Sequence, residues 1–159
     1  MNISVLLSNR LINVGVLSWC AAQLLKTLID YAKHKRFNRE RLSGAGGMPS
    51  SHAAVTVSAV ITSYYMYGFN SAAFALSFIQ ALIVMYDATG VRFAAGLHAK
   101  AINRIVEHLD ESEHKTALQQ LVPKLNESIG HRMIEVVCGA ILGTLIAVAA
   151  EWIVRSNFF

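Results

Sequence analysis

The stretch that decides the fold runs from Leu42 to Tyr86 and reads LSGAGGMPSSHAAVTVSAVITSYYMYGFNSAAFALSFIQALIVMY. It contains no Asp, Glu, Lys or Arg, and Gly68–Asn70 divides it into two apolar segments, at about 51–67 and 72–86. A membrane-spanning helix needs about 20 mostly apolar residues, and in lipid only a helix satisfies the backbone hydrogen bonds of such a segment. The stretch therefore predicts two short membrane-spanning helices joined by an uncharged turn.

The composition of the whole chain agrees with a membrane protein. Hydrophobic residues make up 54% of the 159 residues, and the mean hydropathy is +0.43. Charged residues make up 15%, against about 25% in ordinary soluble proteins. Two further apolar segments lie at about 11–29 and 133–154. We therefore predict an all-α fold, a single integral membrane domain of residues 1–159 with about four transmembrane helices. A soluble, fully buried helical protein is the alternative.

Basic residues set the predicted orientation. The segment Lys33–Arg41 holds five basic side chains and one acidic one, and the connection Arg92–Arg132 holds most of the other Lys and Arg residues. Cytoplasmic loops carry an excess of Lys and Arg, so both segments are expected in the cytoplasm of a bacterium, with the protein in the inner membrane. Beside apolar helices, Lys33–Arg41 is expected to face anionic membrane lipids rather than nucleic acid.

The connection at about 92–130 differs in character from the apolar segments. Apolar residues recur there at i, i+3, i+4 and i+7 in two places, Ile102–Leu109 and Leu118–Leu125, with charged residues between them. This pattern predicts a cytoplasmic insert of short amphipathic helices, which either cap the cytoplasmic face of the bundle or lie at the level of the lipid headgroups.

The segment Gly46–His52 opens the uncharged stretch with residue types that suit an anion. Gly46 and Gly47 allow a ligand to approach the backbone closely, and Ser50 or Ser51 can cap the helix that follows. The N-terminus of a helix binds anions, and histidine gains or loses a proton near neutral pH. The alternative is a capped helix start whose histidine lies at the membrane interface.

A second group of polar residues follows the third apolar segment, on the same membrane side as His52. It consists of Asp87, Arg92 and His98. Arginine offers several coplanar donors to phosphoryl oxygens, and of two histidines one could attack phosphorus while the other protonates the leaving oxygen. Lys26, near the inner end of the first segment, could add a donor. Its alternative is a lysine whose charged end reaches the headgroups.

The spacing within this group leaves the identity of a nucleophile open. If residues 88–109 form one continuous helix, Arg92 and His98 point in directions about 120° apart. His131, which follows Gly130 at the start of the fourth apolar segment, is then a second candidate nucleophile. A helix-capping or interfacial histidine is the alternative interpretation of this residue.

The fourth apolar segment contains a carboxylate and a pair of glycines. Glu135 could pair with a basic residue such as Arg132 or Lys26. Gly139 and Gly143 allow close helix packing, either within the chain or between the two copies of a homodimer. The chain shows no spacing typical of metal ligands, so we expect neither a metal nor another cofactor.

Several of these segments resemble a known family. Pro49–His52 is similar to the Pro-Ser-Gly-His motif of the type 2 phosphatidic acid phosphatase and vanadium-dependent haloperoxidase superfamily, and Arg92-x5-His98 is similar to its third motif. The order of Gly46–His52, Asp87–Arg92 and Gly130–Gly139 resembles more closely a small membrane family that forms a divergent branch of this superfamily.

The resemblance implies metal-free hydrolysis of a phosphate monoester or diphosphate. It implies that His98 forms a phosphohistidine, that His52 is the general acid, and that Arg92, Ser50 and Lys26 bind the phosphate.

The chain departs from the superfamily pattern at several motif positions: Val91 replaces the serine before Arg92, and the Arg-Pro of the first motif is absent after Lys26. Ser51 replaces a glycine, and Ile102 replaces the aspartate that would orient His98. Asp87 and Asn103 are the candidates for that orienting role.

The sequence therefore predicts a membrane-embedded phosphatase for a lipid phosphate or isoprenyl diphosphate, acting at the cytoplasmic face. The expected catalytic residues are His52, His98, His131 and Asp87, and those expected to bind the phosphate are Lys26, Gly47, Ser50, Ser51 and Arg92. The alternatives are a non-catalytic protein that binds or transports a phosphorylated lipid, and a structural membrane protein.

Overall fold

The computed structural model describes residues 8–35, 46–108 and 124–156. Helices account for 82% of these residues, which contain no strand, so the predicted all-α fold is confirmed. The five described helices are α1 (Arg10–His34), α2 (Ser51–Tyr67), α3 (Ala72–Thr89), α4 (Val91–His108) and α5 (Met133–Ser156).

Three stretches of the described residues are long and apolar enough to cross a membrane, and they are Arg10–His34, Ala72–His108 and Met133–Ser156. The helix α2 has 17 residues, which corresponds to a length of about 25 Å. It is therefore slightly shorter than the hydrocarbon core of a bilayer, which is about 30 Å thick. The helix α2 packs against α1, α3 and α5, and this central position surrounds it with other helices.

Small residues let α2 and α5 approach until their backbones touch. A Cβ atom added to Gly139 would lie 2.2 Å from the carbonyl oxygen of Ser50, and one added to Gly143 would lie 2.2 Å from that of Ala54. Close backbone contact over small residues is how membrane helices maximise van der Waals attraction when lipid removes the hydrophobic driving force. The glycine pair is therefore covered by α2 of the same chain, the first of the two alternatives above.

A partly buried ion pair joins α1 to α5 at the end of the bundle opposite the start of α2. The Nη1 atom of Arg10 lies 2.8 Å from the Oε2 atom of Glu151, a residue that is 3% exposed. At this end, the turn between α2 and α3 carries packed rings, with Phe69 centred 4.3 Å from Tyr64 and 5.1 Å from Phe74. Tyrosine is enriched where membrane meets water.

The helix α4 begins directly after α3, at the break formed by Gly90, and packs against residues 124–130. Asn103 donates to the carbonyl oxygen of Leu125 at 2.9 Å and accepts from the Leu125 N–H at 3.0 Å. Gly96 is buried, and a Cβ atom there would lie 2.5 Å from the carbonyl oxygen of Ile129. These contacts hold the return segment on one face of α4.

The predicted insert differs from the structure in its first helix. Of the amphipathic pattern at Ile102–Leu109, residues 102–108 form the last turns of α4, which begins eleven residues before Ile102, at Val91, and Leu109 lies outside the described residues. The reason is that Ala94 to Ala101 contain no residue that breaks a helix except Gly96, which close packing accommodates. The second predicted helix, Leu118–Leu125, lies almost entirely outside the described residues. The basic segment Lys33–Arg41 does so as well, beyond Lys35.

Candidate functional site

Three parts of the chain meet at the end of the bundle where α2 begins. The backbone N–H of Ser50 donates to the carbonyl oxygen of Glu135 at 2.9 Å, which joins the start of α2 to the start of α5. The backbone N–H of His131 donates to the carbonyl oxygen of Ala88 at 2.9 Å, which joins the start of α5 to the end of α3. These two bonds place His52, Ala88 and His131 around one small space.

Glycine makes this convergence possible at Gly130. Its φ angle is +85°, in the left-handed region that glycine adopts most easily. A Cβ atom there would lie 2.3 Å from the backbone nitrogen of Phe93, at the start of α4. Any side chain at this position would push α4 away from the residue that follows, His131.

His131 is buried and held by a carboxylate. The residue is 3% exposed, and its Nδ1 atom lies 3.0 Å from the Oε2 atom of Glu135, one helical turn further on. A carboxylate oxygen only accepts hydrogen bonds, so Nδ1 carries the proton. The other ring nitrogen, Nε2, is buried and has no hydrogen-bond partner within the described ranges. In the neutral ring this atom therefore holds a free lone pair.

His52 faces the same space from α2. The ring centroids of His52 and His131 are 6.0 Å apart, and the ring planes are inclined by 65°. A cavity of about 90 Å³ lies at the two rings, with a volume of about three water molecules. Its lining residues are His52, Val84, Asp87, Ala88, Arg92, Gly130 and His131. This cavity, called the small pocket from here on, is large enough for a tetrahedral oxyanion.

The small pocket has a positive wall. Arg92 lines it, and its Nε atom pairs with the Oδ2 atom of Asp87, which orients the guanidinium at the start of α4. A guanidinium beside two imidazoles favours the binding of an anion in this space, and the carboxylate of Asp87 offsets part of that positive charge.

Asp87 and Asn103, the candidates for orienting His98, have other partners in the structure. Asp87 contacts Arg92, and Asn103 contacts the backbone of Leu125. His98 itself is exposed on α4 and does not line the small pocket. Because α4 is one continuous helix, its turns carry His98 about 120° away from Arg92. The structure thus brings Arg92 together with His131 rather than with His98.

The remaining predicted residues lie beside the small pocket rather than in its lining. Ser50 is fully buried and is the N-cap of α2, where its Oγ atom accepts from the N–H of Ala53 at 3.4 Å. Ser51 is buried as well, at 4% exposure. Lys26 and Gly47 line a second, larger pocket on the other side of the loop that precedes α2.

Glu135 is the residue whose partner was not anticipated. The sequence suggested a pairing with Arg132 or Lys26, and in the structure its side chain also accepts from the His131 ring and, at 3.3 Å, from the Arg132 backbone N–H. The signal was present as a His-x3-Glu spacing: His131 lies two residues before α5, and the chain turns there so that its ring reaches the Glu135 carboxylate. Glu135 therefore lies beside His131 as an acid that can orient its ring, whereas Ile102 stands where such an acid would follow His98.

No set of three or more His, Cys, Asp or Glu side chains within residues 8–35, 46–108 and 124–156 is arranged to hold a metal ion. The polar side chains that line the small pocket are two imidazoles, a guanidinium and the carboxylate of Asp87, and Glu135 contacts one of the imidazoles.

Comparisons with known proteins identify a family and a curated relative. The model of the Divergent PAP2 family matches residues 7–146. An uncharacterized membrane protein of Bacillus subtilis, YuiD, is 36% identical over 138 residues, which cover 82% of this chain and 87% of YuiD. No solved structure gives a significant match. The match to a membrane protein agrees with the three apolar helical stretches, so a membrane location is supported twice.

Proposed function

Because the chain belongs to the Divergent PAP2 family, we propose that it is a membrane-embedded phosphatase that hydrolyses a lipid phosphate or an isoprenyl diphosphate at the cytoplasmic face. The observation that carries this proposal is the small pocket, in which a carboxylate-held imidazole, a second imidazole and a guanidinium meet. His131 is the nucleophile in this proposal, His52 is the general acid and base, and Arg92 binds the phosphoryl oxygens.

The first step transfers the phosphoryl group to the protein. The lone pair on the Nε2 atom of His131 attacks phosphorus, and the bond between phosphorus and the lipid oxygen breaks. The protonated ring of His52 gives its proton to that leaving oxygen. Because His131 gains positive charge as the bond forms, the carboxylate of Glu135 at 3.0 Å stabilises it. Arg92 stabilises the negative charge that spreads over the remaining phosphoryl oxygens.

The second step releases phosphate. Water attacks phosphorus, the bond between phosphorus and the His131 nitrogen breaks, and the neutral His52 ring takes a proton from the attacking water. Both imidazoles return to their starting protonation states, so the cycle needs no metal ion and no other co-reactant. The net reaction consumes one water and yields inorganic phosphate and the lipid alcohol or monophosphate.

The test uses the purified protein in detergent, with phosphatidic acid and isoprenyl diphosphates as substrates and phosphate release as the readout. His131→Ala is expected to abolish turnover, and Glu135→Gln is expected to lower kcat roughly 10³- to 10⁴-fold, by analogy with an amide placed behind a catalytic histidine. His98→Ala is the matched control, because this exposed histidine of α4 lies outside the small pocket. It is expected to retain activity.

Two results would overturn parts of this proposal. Loss of turnover in His98→Ala with full turnover in His131→Ala would remove His131 as the nucleophile. Binding of the phosphorylated lipids without any phosphate release would favour the non-catalytic alternative. Acid-labile label from a radioactive substrate, found on wild-type protein and absent from His131→Ala, would support the covalent intermediate directly.

A further inference from the structure

A second pocket, called the large pocket from here on, lies between α1 and α5. It has a volume of about 270 Å³, three times that of the small pocket, and is formed by the last turns of α1, the loop before α2 and the first turn of α5. Glu135 lines the large pocket, while its partner His131 lines the small one. The hydrogen-bonded pair therefore separates the two spaces.

The charges in the large pocket favour an anion. Three cations line it, Lys26, Lys33 and Arg132. The two carboxylates that also line it each contact an imidazole, Asp30 that of His34 at 3.3 Å and Glu135 that of His131 at 3.0 Å. Lys26 is 2% exposed, so its charge is withdrawn from solvent. Anionic and dipolar neighbours stabilise a buried ammonium, and an oxyanion in the pocket would add to them.

The remaining lining residues point to a lipid. Ile29, Met48 and Ile134 form an apolar part of the wall beside the cations. Lipid headgroups present a phosphoryl group next to a glycerol and the first methylenes of the acyl chains, a combination that matches cations next to apolar side chains. The basic segment Lys33–Arg41 begins in the last turn of α1, which lines the pocket.

We propose that the large pocket is a second phosphoryl-binding site, distinct from the small pocket, that takes the headgroup of an anionic membrane lipid. Free inorganic phosphate shares the same chemistry and is the other possible source of the ligand. The site does not depend on hydrolysis in the small pocket. Its position behind Glu135 means that an anion bound there changes the charge next to the carboxylate that holds His131.

The experiment separates the two pockets by substitution. In a background of His52→Ala and Arg92→Ala, two exposed residues of the small pocket, binding of inorganic phosphate is measured by calorimetry in detergent. We expect binding to persist there. Adding Lys33→Gln and Arg132→Gln, which are both exposed residues of the large pocket, should weaken it about tenfold for each cation removed. Arg104→Gln, an exposed cation of α4, is the matched control and should leave the affinity unchanged.

Two results would overturn the second site. One is loss of all phosphate binding in the background variant, since then the small pocket is the single anion site. The other is an affinity that does not respond to Lys33→Gln and Arg132→Gln in protein with an unchanged melting temperature. Neither result concerns turnover by the wild-type protein, so failure of this inference is distinct from failure of the proposed hydrolysis.

The source of the ligand is identified in nanodiscs. If a lipid headgroup occupies the large pocket, phosphate should bind the background variant in discs of phosphatidylcholine and lose affinity when phosphatidylglycerol is added. The Lys33→Gln and Arg132→Gln variant should then lose the thermal stabilisation that phosphatidylglycerol gives to the background protein. Equal phosphate affinity in both kinds of disc would support free phosphate as the ligand of the same site.

Discussion

The contact between Gly139 of α5 and the Ser50 carbonyl makes a quantitative prediction about stability. In Gly139→Ala the new methyl would lie 2.2 Å from the carbonyl oxygen, whereas ordinary contacts of a Cβ atom begin at 3.4 Å. Overpacking costs about 1–3 kcal/mol. Because the atom that the methyl meets belongs to the backbone and cannot rotate away, we expect a cost at the upper end of this range, about 3 kcal/mol. Alanine recovers about 1 kcal/mol through its higher helix propensity. The expected loss in the free energy of unfolding is therefore about 2 kcal/mol.

Gly15→Ala in α1 is the matched control for this prediction. The nearest atom to a Cβ there is the Cγ1 of Val55 at 3.7 Å, an ordinary contact, so only the gain in helix propensity remains. We expect a melting temperature about 4–8 °C below the wild type for Gly139→Ala and one at or above the wild type for Gly15→Ala. The assay is thermal unfolding of both variants in the same detergent. A Gly139→Ala protein as stable as the Gly15→Ala protein would refute the close approach of α2 and α5.

Two further predictions concern the other contacts that hold the chain together. Arg10→Ala should destabilise the protein by about 3 kcal/mol, because it leaves the buried carboxylate of Glu151 without its partner. Adding Glu151→Ala should restore part of that stability in thermal unfolding, and a double variant less stable than Arg10→Ala would contradict the pairing. Asn103→Leu should cost about 1–3 kcal/mol and speed proteolysis within 124–130, since its side chain holds that segment on α4. The control is Arg104→Leu, a substitution at the exposed residue next to Asn103, which should leave the cleavage rate unchanged.

Helix positions in the uncharged stretch could be predicted closely from the sequence. The segments predicted at about 51–67 and 72–86 correspond to Ser51–Tyr67 and Ala72–Thr89. The bounds agree because local signals define them. Ser50 and Ser71 cap the two helices, and the glycine after Tyr67 ends the first of them.

The second half of the chain was harder, because its local signals were ambiguous. The periodic apolar residues after Ile102 marked a helix correctly but did not show that it begins at Val91. Because α4 is continuous from Val91 to His108, Arg92 and His98 point in directions about 120° apart. Arg92 lines the small pocket and His98 does not.

The class of the protein and the set of polar residues at one end of its helices were determined by the sequence alone. The hydrophobicity and charge of a segment set its free energy of transfer from water to lipid. This free energy can be summed along the chain without knowledge of the fold. The placement of His131, rather than His98, in the small pocket was decided only by tertiary structure. It depends on a hydrogen bond from His131 to the end of α3 and on backbone contact between α2 and α5, which bring together residues far apart in the chain.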